Sequence, residues 1–195
     1  MPPRRARPPS RDPDATRARL IDAAQKEFNT KGYFGTDTNR IAKRAGFAPQ
    51  TFYRHFDDKI AIFLAVYDTW WKAESAALGE LLSKPAARSD AKKAAVIVAD
   101  FHTRWKIFRR SLRHLAIEEP RVRAARTVAR LAQIERIEMN APRKRKLESM
   151  VAALLASERI CDALADGELA DLGLSRASAL GLVADSMAAL TGRAA

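Results

Sequence analysis

Apolar side chains return every three or four positions along most of the chain, in blocks separated by glycine, proline and capping residues. Leu20, Ala24 and Phe28 recur every four positions with Ile21 beside them, and Gly32 interrupts the series. That spacing predicts a first helix over 15–31 with the glycine as its C-terminal cap. Thr36 is placed to cap a second helix over 37–45, and Gly46 supplies a tight turn. Pro49 suits the first position of a third helix that continues to His55. Asp58 then caps a fourth helix reaching Leu82, along which Ile60, Phe63, Leu64, Tyr67 and Trp71 fall at spacings of three and four.

Beyond the loop "SKPAARSD", the series Ile97, Phe101, Trp105, Phe108, Leu112 and Leu115 predicts one long fifth helix that ends before Pro120. Its opposite side carries Lys106, Arg109, Arg110 and Arg113. A sixth helix is expected over 121–139, stopped by Pro142, and a seventh over 145–165. "ADGELADLGLS" reads as a loop because two glycines bracket acidic residues, and an eighth helix follows over 176–191. No stretch alternates with the period of a strand, and there is no internal repeat. The expected fold class is all-α. The longest apolar run, near "IAIFLAVY", is too short to span a bilayer, so no membrane partner is expected.

Charge adds a partner class. The 195 residues carry a formal net charge of +12 and a pI near 10.3, which favours polyanions, although many basic proteins are simply soluble. Residues 1–14, "MPPRRARPPSRDPD", are rich in proline and arginine with little to bury and read as a disordered basic arm. No apolar segment follows as in a secretory leader, and a lone cysteine, Cys161, allows no intrachain disulfide, so a cytoplasmic location is expected. An enzyme is disfavoured: the sequence shows no paired carboxylates, nucleophile triad, phosphate-binding glycine loop or cofactor fingerprint. No cofactor and no metal are expected, since His102 and His114 are too far apart along one helix to share a face and Cys161 has no nearby ligand partner.

The second and third helices are too short to be stable alone and must pack on their neighbours. Ile41, Ala45, Phe52 and Phe56 provide that contact, and Ala42 and Ala45 allow a close crossing at the Gly46 turn, as in a helix-turn-helix. Gln50, Thr51, Tyr53, Arg54 and His55 are then left on other faces. Gln reads adenine, Arg reads guanine, the Thr methyl meets that of thymine, and Tyr bonds phosphate. An ordinary amphipathic surface helix with its polar residues in water would look the same on these residues alone.

The block Leu20–Leu64 is more specific. Its "GYFGT" turn, "IAKRAG", "TFYRHF" and Lys59, three residues after Phe56, together resemble the N-terminal DNA-binding domain of TetR-family transcriptional regulators. The resemblance covers about a quarter of the chain; the remainder agrees only in helix number and in the "ALADGEL" loop. It implies that Thr38 and Asn39 approach DNA from the second helix, that the third enters the major groove, and that Tyr53, His55 and Lys59 meet phosphates. Thr36 and Pro49, at the starts of the second and third helices, complete the candidate DNA-facing set. Two positions depart from the pattern: Ala48 stands where a capping Ser or Thr is usual, and Asp37 puts a negative charge near the phosphate face.

The resemblance also implies three parts: the arm at 1–14, a helix-turn-helix domain at 15–60, and a helical ligand-binding and dimerisation domain at 61–195. Trp70, Trp71, Phe101, Trp105 and Phe108 are the candidate lining of an apolar ligand cavity, although such a stripe also describes plain core. The basic residues Arg104, Arg109, Arg113, Arg123, Arg126, Arg130 and "RKRK" at 143–146 read as solvated faces or as partners of an anionic ligand. The ligand is thus expected to be small and either hydrophobic or anionic. By the resemblance, a homodimer forms through the last helices, with Leu180, Ala184, Met187 and Thr191 along one side of the eighth; the family would add a ninth where this sequence stops. The expected function is a repressor released from a palindromic operator by its ligand. The alternative is a constitutive DNA-binding or nucleoid-associated protein with no effector.

Overall fold

The computed structural model describes residues 12–82, 88–139 and 145–191, and no strand occurs among them. Helix α1 spans Pro13–Lys31. Asp12 opens it by accepting from the Asp14 N–H at 2.9 Å and the Ala15 N–H at 3.3 Å. The helix therefore starts two residues earlier than apolar spacing alone predicts, and the rest of the basic arm, 1–11, lies outside the described residues.

Helices α2 (Thr38–Arg44) and α3 (Pro49–Tyr53) form the short pair, and α4 runs from Lys59 to Leu82. The cap of α2 is Asp37, whose Oδ1 accepts from the Arg40 N–H at 2.7 Å, and not the expected Thr36. Thr36 is turned inward, where its hydroxyl donates to Glu27 Oε2 at 3.1 Å. Ala48 gives α3 no side-chain cap, as expected, and Asp58 Oδ1 accepts from the Ala61 N–H at 2.7 Å in the first turn of α4.

The expected long fifth helix is two helices, α5 (Arg88–Arg104) and α6 (Lys106–Glu118), broken at Trp105 with φ −111° and ψ 20°. Neither proline nor glycine marks the break, so its cause is packing. Upstream, Ala94, Ala95 and Val98 bury against Leu78, Cys161 and Val183; downstream, Trp105, Phe108 and Leu112 join the core behind α1–α4. One straight helix cannot reach both clusters. Helix α7 (Pro120–Met139) begins with proline at its first position, and α8 covers Leu147–Asp166. Gly167, at φ 89°, ends α8, and the expected loop contains a single turn of helix, α9 (Glu168–Asp171), too short to leave a periodic signal. Helix α10, Arg176–Thr191, has the predicted span.

The first core cluster binds α1–α4 to α6 through Leu20, Phe28, Ile41, Phe52, Phe63 and Phe108. Helices α5, α8 and α10 pack together above it. Ala184, Met187 and Thr191, assigned from sequence to the dimer contact, are buried inside the chain, since α10 must first cover α5 and α8.

Gly46 turns the chain between α2 and α3 at φ 77°, and an added Cβ would come within 3.1 Å of Arg19 Nη2, which itself donates to Ala45 O at 2.9 Å. Gly46→Ala is expected to cost about 1–2 kcal/mol, mainly through the left-handed backbone, as read by urea denaturation.

Candidate nucleic-acid interface and cavity

Burial separates the two sides of α3 and the turn that follows it. Phe52 and Phe56 are buried, whereas Pro49, Gln50, Tyr53 and Arg54 are exposed and Thr51 and His55 are half-buried. On α2, Asn39 and Arg40 are exposed and Thr38 half-buried. The Thr38 hydroxyl and the Tyr53 phenol lie 3.0 Å apart, which ties the starting end of α2 to the end of α3 and fixes both groups on one face. Eight of the ten candidate DNA-facing residues, all but Thr36 and Lys59, therefore leave side chains at or near this surface without a structural role deeper inside.

Thr36 is buried, and its hydroxyl belongs to an internal link. Glu27 of α1 accepts from Thr36 through one carboxylate oxygen and from Arg44 Nη1 at 2.8 Å through the other, fastening α2 to α1. Lys59 is half-inward: its Nζ donates to Tyr33 O at 2.9 Å and Thr36 O at 3.0 Å and sits 4.0 Å from the Tyr33 ring centroid. Burial holds the Lys59 ammonium below its usual pKa, against the pull of Asp37. Two of its three N–H groups are spent on the turn between α1 and α2, leaving one for an outside acceptor. Asp37 spends its carboxylate as a helix cap.

Behind the head, two contacts reach α5 and α6: the Tyr33 N–H, in the turn after α1, donates to Ser111 Oγ of α6 at 2.9 Å, and Asn29 Nδ2 of α1 donates to Arg104 O, at the end of α5, at 2.8 Å. Two residues from Ser111, Arg109 faces a cavity of about 40 Å³ enclosed by α4–α8 and α10. Trp70 and Trp71 are among its lining residues. Phe101, Trp105 and Phe108 do not; they pack into or against the core cluster shared with the head, because the break at Trp105 swings that stripe toward α1 and α4.

Nor is the lining purely apolar. Glu74, His102, Arg109, Arg126, Arg130 and Glu158 contribute to it, and Arg109 and Arg126, read from sequence as solvated or ligand-facing, are buried. Asp162 of α8 holds this group together. Its Oδ1 accepts from Arg109 Nε at 2.7 Å and lies 2.9 Å from His102 Nδ1, and its Oδ2 lies 2.8 Å from Arg113 Nη1. Burial would raise the Asp162 carboxyl, but the His102 hydrogen bond and Arg109 outweigh it and hold the group well below the carboxylate range. An ionised Asp162 is acceptor only, so His102 carries its proton on Nδ1. Burial and the neighbouring Arg109 charge lower His102 to about 4, leaving the ring neutral near pH 7. The signal for this network was present in sequence as single charged residues within apolar helices, but nothing there paired Arg109 with a residue 53 positions away. Arg143 and Lys144 of the basic "RKRK" lie outside the described residues.

The profile of bacterial regulatory proteins, tetR family, matches residues 20–66. Over 53 residues the chain is 38% identical to the transcriptional activator FasR of Mycolicibacterium smegmatis, covering 27% of this chain and 24% of that protein. Over 59 residues it is 37% identical to the transcriptional repressor SCO4008 of Streptomyces coelicolor, covering 30% of this chain and 31% of that one. These matches thus span only about a quarter to a third of the curated relatives' length. A TetR family transcription regulator from Marinobacter aquaeolei VT8 aligns over 89% of this chain and 95% of its own with a TM-score of 0.60 and 18% identity, a likeness of fold. These relatives are regulators rather than enzymes. Residues 20–66 thus match the N-terminal domain of tetR-family regulatory proteins in sequence, and the chain as a whole shares the helical fold of a solved TetR-family regulator.

Proposed function

We propose that this transcriptional regulator represses its targets by binding a palindromic operator as a homodimer, and that a small molecule entering the α4–α10 cavity releases it. The observation that carries this reading is the division of α3 and its following turn, Phe52 and Phe56 buried and Gln50, Tyr53 and Arg54 exposed, on a face pinned by the Thr38–Tyr53 contact. In the major groove, Gln50 and Arg54 read base edges, while Thr38, Asn39, Tyr53, His55 and the remaining Lys59 N–H hold phosphates. The functional division at 15–60 and 61–195 follows, with the head reading DNA and the body sensing ligand. Such a protein works in the cytoplasm, beside its operator; no helix among the described residues is long and apolar enough to cross a membrane.

One recognition helix touches few base pairs, so two copies on a two-fold operator supply the missing selectivity. The surface we assign to the dimer is the outward side of α8 and α10, where Ala152, Leu155 and Ala156 and, across from them, Gly181, Leu182 and Ala189 remain exposed.

Tyr53→Phe removes only the phenolic hydroxyl. Its loss is expected to weaken specific and random duplexes alike, and because a phenol is uncharged the salt slope should stay as in the wild type. Fluorescence anisotropy on both duplexes across a salt series checks this. Equal affinity of wild type for a selected palindrome and for random DNA would instead indicate a constitutive, non-selective DNA binder.

A further inference from the structure

The polar atoms facing the cavity are unequal in kind. Trp70 Nε1 is a buried donor with no acceptor among the described residues. Arg126 and Arg130 converge on one carboxylate: Arg126 Nη2 donates to Glu158 Oε2 at 2.8 Å, and Arg130 donates to the same oxygen at 2.5 Å and to Oε1 at 3.0 Å. Two guanidiniums on one carboxylate leave a positive charge over. Burial, together with Arg130 and Arg109, holds Arg126 below its usual value despite Glu158, so its charge is under-compensated. Arg109 is paired separately, with Asp162, one turn along α8 from Glu158.

Glu74 of α4 completes the set. Its Oε1 is buried without a hydrogen-bond partner among the described residues, 3.8 Å from His102 Nε2. Burial pushes its carboxyl up to about 7; Arg109 and Arg136 pull it down, while Glu158 and Asp162 push it further up. From α10 only the uncharged Met187 and Leu190 face the cavity, and α4 adds Tyr67, whose phenol burial raises to about 12 and keeps protonated. Near neutral pH the cavity therefore offers the indole N–H, a carboxylic O–H and surplus guanidinium charge. A cationic ligand would meet that charge; an anion would be matched by all three.

We propose that the cavity binds a small organic carboxylate, seated among Arg126, Arg130, Trp70 Nε1 and the Glu74 carboxyl group. The proposal rests on the ligand-responsive reading above and gives it a ligand class. At about 10–15 Å³ per water-sized group, a volume of about 40 Å³ admits roughly three to four non-hydrogen atoms, so the carboxylate is a short one, or the head of a longer molecule that enters as the wall parts. An anion favours the protonated form of Glu74, so binding takes up a proton where Glu74 is otherwise ionised, and affinity falls as pH rises above about 7.

Acetate, acetamide and acetamidinium have nearly the same four-atom shape and differ in charge. Titrated into the full chain and followed by tryptophan emission, acetate is expected to bind at least tenfold more tightly than either of the others, and about tenfold more tightly at pH 6 than at pH 8. In Glu74→Gln the amide keeps the donor and loses the titration, so acetate should bind with the same affinity at both pH values. Preference for acetamidinium, equal binding of all three, absence of binding, or an unaltered pH dependence in Glu74→Gln would each overturn the proposal. The wild-type comparison stands even if the variant fails to fold. Operator binding by the same preparation separates the two readings: selective DNA binding without acetate binding removes the carboxylate alone, whereas acetate binding without selective DNA binding removes the regulator reading.

Discussion

Asp162→Ala is expected to destabilise the protein by about 3–5 kcal/mol, the cost of leaving a buried charge without its partner. Arg109, only 2% exposed, loses both of its bonds to Asp162, at 2.7 and 3.2 Å, and has no second carboxylate bonded to it among the described residues. His102 loses the acceptor of its Nδ1 proton, and Arg113 keeps only Asp166. For a domain of this size the loss corresponds to a melting temperature lower by on the order of 10 °C. Asp162→Asn retains an acceptor for one donor and should fall between the wild type and alanine. A chemical-denaturation loss below about 1 kcal/mol for the alanine variant would mean that the network is not the strut the geometry makes it. The effect should also reach the DNA-binding head, because the same α6 that carries Arg109 holds Tyr33 through Ser111.

The second large effect is on base selectivity. Gln50 and Arg54 are four residues apart, both exposed, on the side of α3 and its C-terminal cap away from Phe52. Gln50→Ala and Arg54→Ala are each expected to relax preference at one or two operator positions by about 1–3 kcal/mol, if the lost contacts are bidentate ones to adenine and guanine. Binding to random DNA should change less for Gln50, which is neutral, than for Arg54, whose charge also contributes to the salt-dependent term. Competition binding with operators substituted one pair at a time reads the effect, and unchanged preferences in both variants would show that α3 is not the reading helix.

What sequence made legible follows from how local each signal is. The two short helices, their glycine turn and the burial of Phe52 and Phe56 rest on contacts within a few residues, and they stand at or near their predicted places. The last helix was legible for the same reason. Thr36 shows the limit even at short range: Thr and Asp are both good caps in adjacent positions, and only Glu27, nine residues back, decides which one turns inward. The break at Trp105 has no local cause at all, since two core clusters far apart in sequence pull the helix in two directions. Past that break Trp105 and Phe108 join the core, and Arg109 lines the cavity instead. The charged lining was invisible in the same way. Arg109 in an amphipathic helix reads as a solvated residue until Asp162 is folded against it.

The central claim is that two copies of α3 read a two-fold DNA sequence. Selection of bound fragments from a random duplex pool tests it most directly. The predicted result is enrichment of an inverted repeat whose half-site centres are separated by about one helical turn, 10–10.5 base pairs, or a multiple of it, with enrichment lost in the Gln50→Ala, Arg54→Ala double variant. A bound pool with no sequence in common, retained equally by the double variant, would contradict it.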